Sequence, residues 1–146
     1  SMITQCICNS FREEVFEAVH NFASVGGDVF KIALYDNTAQ LGATTTVYTT
    51  SGEITATGYT AGGEVLNGQT VVVTQPQTGP QTYITFDDAQ WSSTNIVARG
   101  ALIYNSSKGN KAVVVLNFGL DVTPTDGVFT VKMPLAGPNT ALLCFA

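Results

Sequence analysis

The chain has 146 residues, of which 45% are hydrophobic and 12% charged, with six Lys and Arg against eleven Asp and Glu for a net charge of -5. That length supports one hydrophobic core and one domain spanning 1–146, and the hydrophobic content excludes intrinsic disorder. The acidic balance argues against nucleic acid or an anionic membrane as a partner, and no run of eighteen apolar residues marks a transmembrane helix.

Ser1 ahead of Met2 reads as an expression scar, and no basic-then-apolar leader follows it. Cys6, Cys8 and Cys144 are odd in number, and the first two are too close for an easy mutual disulfide. They read as thiols suited to a reducing compartment, and three dispersed cysteines with one histidine give no metal-site spacing. No cofactor is expected.

Helical spacing of Phe11, Val15, Val19 and Phe22, widened by Phe16, predicts one N-terminal helix over about 10–24. Ser10 with Glu13 matches a capping box, Glu13, Glu14 and Glu17 suit the early turns, and Gly26 and Gly27 provide the stop. The single histidine, His20, follows the apolar stripe and reads as a rim or solvent residue rather than a catalyst.

From about 28 to 145 the pattern is extended. Phe30, Ile32 and Leu34 alternate with Lys31, Ala33 and Tyr35, as in a strand with one apolar face. Segment 41–54 is rich in threonine, with Val47 and Tyr48 embedded, and reads either as an irregular strand or as a long ordered loop. Gly58, Gly62 and Gly63 around Tyr59 suggest a bend, or backbone held close to a neighbour. Strands are expected over 65–74, at Tyr83 to Phe86, over 96–104, 113–118, 128–133 and 141–145, with a polar turn at 75–80. The connection 105–110 pairs the 96–104 and 113–118 strands as a hairpin. The fold class expected is mainly β: an antiparallel sandwich or open barrel of seven to eight strands with one helix packed on it.

The candidate chemistry is sparse. Asp87 and Asp88 are adjacent and would point to opposite faces of a strand, so they read as turn and solubility residues. Ser92, Ser93, Ser106 and Ser107 lack a nucleophile elbow or an adjacent base. Arg99 interrupts an apolar strand and reads as a salt-bridge partner of Asp87, Asp88 or Glu64. Tyr83 and Trp91, with Tyr48 and Tyr59, are candidates for a ligand patch, against core filling as the plain alternative. The threonine-rich stretch 44–60, with Thr45, Val47, Tyr48 and Tyr59, is a candidate contact surface for copies of the chain or for other proteins, against an ordered polar loop.

Several runs resemble a family of small structural proteins encoded by tailed bacteriophages: Lys31-Ile32-Ala33-Leu34-Tyr35, Thr44-Thr45-Thr46-Val47-Tyr48, Gly52-Glu53 and Gly58-Tyr59-Thr60-Ala61-Gly62-Gly63. Phe86-Asp87-Asp88, Trp91, the stretch from Ala98 to Asn105, and Val115-Leu116-Asn117-Phe118-Gly119 are similar to the same family. The resemblance implies a non-enzymatic virion protein made in the host bacterial cytoplasm, oligomeric and bound to other virion proteins. A capsid decoration or cement protein, or a tail or neck component, fits this size and fold. The alternative is a carbohydrate-binding or host-attachment module, which would need coplanar exposed rings among Tyr48, Tyr59, Tyr83 and Trp91.

Overall fold

The computed structural model describes residues 2–74, 81–133 and 142–145; the expected 75–80 turn and Ala141 lie outside them. In chain order the elements are β1 (Met2–Ile3), β2 (Cys6–Ile7), α1 (Asn9–Phe16), β3 (Phe30–Tyr35), β4 (Gln40–Leu41) and β5 (Glu64–Val65). There follow β6 (Thr70–Thr74), β7 (Gln81–Thr85), β8 (Ala89–Ser92), β9 (Ala98–Asn105), β10 (Lys111–Val122), β11 (Val128–Val131) and β12 (Leu143–Phe145). The fold is mainly β and sandwich-like, with several antiparallel sheets and one N-terminal helix, and it does not close into a barrel.

The centre is a five-stranded sheet in the order β2-β10-β9-β3-β5. Both of its faces are covered, so β3 and β9 are apolar almost throughout rather than alternating. Ile32, Leu34, Leu102, Ile103, Val113 and Val115 are fully buried here. The predicted hairpin is β9–β10, closed by a 3-10 turn at Ser106–Lys108. The Asn105 side chain accepts from the Ser107 amide, and Gly109 takes a left-handed conformation with φ 65°. Gly100, inside β9, is explained by space: a Cβ there would lie 2.5 Å from the Leu116 carbonyl oxygen. A three-stranded sheet, β12-β7-β6, and a pair, β11-β8, flank the centre, and β1 and β4 pair in parallel.

The structure corrects several expectations. The helix ends at Phe16, because Ala18 enters the left-handed region with φ 59°, and Val19 to Phe22 return as non-helical chain. No side chain caps its start, and the Ser10 hydroxyl instead donates to the Thr45 carbonyl at 3.5 Å. The 65–74 strand is two strands in different sheets, β5 ending at Val65 and β6 starting at Thr70. Arg99 pairs with Asp121 at 2.9 Å, since the long β10 carries that carboxylate back over β9. Segment 42–63 is an ordered loop of turns whose β-type pairing with strands is confined to isolated bridges: Tyr35 with Glu53, and Val47 with Lys111.

Candidate interaction surface

The threonine-rich loop gathers around one carboxylate of its own, and tyrosine hydroxyls tie it to the central sheet. Glu53 accepts from the Tyr48 hydroxyl through Oε1 at 2.5 Å and from the Tyr59 hydroxyl through Oε2 at 2.5 Å. The Gly62 amide also donates to Oε2, at 2.8 Å. The Tyr59 oxygen in turn accepts from the Leu34 amide of β3 at 2.9 Å. Tyr35 donates to the Thr49 carbonyl at 2.6 Å, and Tyr104 donates to the Gly62 carbonyl at 2.6 Å. The Tyr48 ring stacks on Tyr104 with centroids 4.8 Å apart.

Burial and then the facing Glu53 carboxylate raise the phenols of Tyr35, Tyr48 and Tyr59 above their ordinary value, and push Tyr104 up to about 12. These hydroxyls are therefore held as donors, and the cluster works as a clasp. Gly63 completes it with φ 79°, in a place where a Cβ would lie only 1.8 Å from the Ile32 carbonyl oxygen.

A second polar network sits behind α1. The His20 side chain is 1% exposed, contrary to the rim or solvent position expected for it. Its Nε2 lies 2.9 Å from Glu14 Oε1, and its Nδ1 lies 2.9 Å from Asn105 Nδ2. Asn105 is fully buried, and the same nitrogen donates to Asp28 at 2.8 Å, while Lys108 donates to the other Asp28 oxygen at 2.8 Å. Burial alone would raise the Asp28 carboxyl, but the bonds from Lys108, Asn105 and the Asn21 amide outweigh it and hold the group below its ordinary value. Both ring nitrogens of His20 are thus committed within the network. Around them Phe11, Phe22 and Phe30 pack closely, with Phe22 stacked on Phe30 at 4.2 Å.

An apolar groove of about 540 Å³ lies between α1 and the β12-β7-β6 sheet. Phe11, Val15 and Phe16 line one side, Val71, Tyr83 and Ile84 the other. Phe16 is 91% exposed, and on the β6 side Val73 is 75% exposed. A second groove of about 640 Å³ runs beneath the outer half of β10, lined by Leu116, Phe118, Val122 and Phe129.

The residues singled out in the sequence fall in three places. Thr45, Val47, Tyr48 and Tyr59 share the loop: the Thr45 hydroxyl accepts from the Gly42 amide at 3.0 Å, Val47 is half-exposed, and the two tyrosines meet on Glu53. Tyr83 lines the groove, and Trp91 is buried between Tyr59 and Phe129. These four rings form no exposed coplanar platform.

Sequence reasoning missed Glu53 as the organiser, although Gly52-Glu53 stood among the family-like runs. It also missed Asn105 and Asp28, which reach His20 only through the fold. Among the described residues no group of three or more His, Cys, Asp or Glu is placed to hold a metal ion, and no helix is long and apolar enough to cross a membrane. No family model, no curated protein and no solved structure matches this chain.

Proposed function

We propose that the chain is a non-enzymatic structural protein of a tailed-phage virion, a capsid decoration or cement subunit or a tail or neck component, acting through protein–protein contacts. The observation that carries this reading is the bare apolar surface of a chain with few charges. Phe16, Val25, Val73, Met2 and Leu120 are each more than 60% exposed. An apolar groove with exposed apolar side chains at its rim marks a site that a partner covers. Phe16 stands at the groove, and Val73 lies two residues from its β6 wall.

The virion setting comes from the sequence resemblance, and the partners are other virion proteins together with further copies of the chain. The carbohydrate-binding alternative has less behind it, because Trp91 is 3% exposed and Tyr48 and Tyr59 are tied to Glu53.

The experiment is co-sedimentation of the purified chain with purified capsids and tails of the parent phage, followed by cryo-electron microscopy of the virion. Saturable binding to one of the two particles and density of this shape on it are expected. Failure to bind either particle, with no copy of the chain in the virion, overturns the proposal.

A further inference from the structure

The edges of the sheets are not alike. The five-stranded sheet ends in β2 and β5, each of two residues, which is one way of denying a neighbour a template. β12, at one side of the three-stranded sheet, has three residues. At the other side, β6 has five residues in unbroken register with β7, and no described strand pairs with its outer edge. It carries none of the usual guards: no charge, no proline, no bulge.

Its sequence, Thr70-Val71-Val72-Val73-Thr74, reads the same in both directions. Antiparallel pairing of two such strands about Val72 sets Val72 against Val72, Val71 against Val73 and Thr70 against Thr74. This is the self-complementarity that a two-fold interface requires.

The pleat supports the same partner. Val71 and Val73 share a face, and Val71 sits across from Ile84, which sits across from the buried Leu143. In the symmetric pair this apolar row runs on: the other copy's Val73 follows Val71, beside the groove that Phe16 lines. The half-exposure of Val71 and the exposure of Val73 are both relieved by one contact.

We propose that the outer edge of β6 pairs antiparallel with β6 of a second copy, centred on Val72, to give a continuous six-stranded sheet across a two-fold axis. The inference rests on the reading of the chain as an assembly protein, and it names one of that protein's contacts.

The test is light scattering after size exclusion, with the fold of each variant checked by circular dichroism. Wild type is expected at twice the 15.4 kDa chain mass. Val71→Lys and Val73→Glu, each altering the seam twice, are expected to raise the dimer dissociation constant about tenfold or more. The double variant V71K/V73E sets opposite charges against each other across the seam, once on each side of the axis, and is expected to recover the dimer. Under mild oxidation Val72→Cys cross-links two chains, since directly opposed Cα atoms about 4.5–5.5 Å apart suit a disulfide. Val73→Cys, off the axis, cross-links no more than wild type.

A wild-type monomer at high concentration overturns the inference, and so does a dimer indifferent to V71K and V73E. Either result leaves the broader reading to the capsid and tail binding experiment, which the wild-type chain should pass if only the β6 pairing is at fault.

Discussion

Replacing Glu53 isolates the clasp that holds the threonine-rich loop. Glu53→Ala leaves the Tyr59 hydroxyl, the Gly62 amide and the Tyr48 hydroxyl without their acceptor. Tyr48 is half-exposed and recovers a bond to water, whereas Gly62 is buried. Counting the first two donors at about 1.5–3 kcal/mol each for bonds to a charged group gives a loss of about 4 kcal/mol. With a urea slope of about 2 kcal/mol per molar, the unfolding midpoint falls by about 2 M.

Glu53→Gln keeps one carbonyl oxygen for Tyr59 and Gly62 and turns its amide towards Tyr48, whose oxygen can accept. The loss is then about 1 kcal/mol and the midpoint falls by about 0.5 M. Equilibrium urea unfolding followed by tryptophan fluorescence measures both, and amide exchange at Gly62 and Leu34 reports the local loosening. Equal midpoints for the two variants, or a shift below about 0.5 M for Glu53→Ala, would refute the view that this carboxylate organises the loop.

Three further outcomes follow from named groups. The raised phenols of Tyr35, Tyr48, Tyr59 and Tyr104 contribute stability that is intact below the ordinary tyrosine value of about 10 and is lost as pH rises towards their folded values. The melting temperature should therefore drop above about pH 10, and in a Tyr83→Phe background phenolate absorbance should appear together with unfolding; phenolate formation there in the intact fold near pH 10 would contradict this. Asp28, held low by Lys108 and Asn105, contributes stability present above the ordinary carboxylate value of about 4 and lost as pH falls through its folded value. Asp28→Asn should thus cost about 1–3 kcal/mol near neutrality and progressively less in acid, measured by urea midpoints across pH. Cys8, fully buried with a thiol pushed up to about 12, should react with a thiol reagent only at the rate of unfolding, so fast labelling in the native state would contradict its placement.

The sheet was legible in the sequence where the signal was local. The β9–β10 hairpin carries apolar runs on both sides of Ser106, Lys108 and Gly109, and its turn chemistry needs no distant partner. The helix was not legible in its length. Val19 and Phe22 keep helical spacing with Phe11 and Val15, but the chain is turned at Ala18 so that His20 meets Glu14 and an asparagine 85 positions further on. A periodic stripe records which side chains are buried, not whether one helix buries them all.

Arg99 shows the same limit: its carboxylate sits 22 positions away on a strand that runs longer than its apolar stretch implied. Tyr48 and Tyr59 stood out in the sequence as contact-surface candidates, yet their orientation depends on Glu53, and a lone glutamate in a threonine-rich stretch carries no pattern of its own.

The fastening of segment 42–63 bears on how fast and how selectively this face would take a partner. A loop that became ordered only on docking would set a large conformational entropy loss against the contact energy and would adapt to several surfaces. Here the chain is already locked by Tyr48, Tyr59 and the bridge from Val47 to Lys111. The Thr45 and Thr49 hydroxyls are themselves engaged, accepting from the Gly42 and Ser51 amides. A partner docking on this face would consequently meet a preformed surface, in an encounter quick to form and intolerant of a shape that is off by a few ångströms.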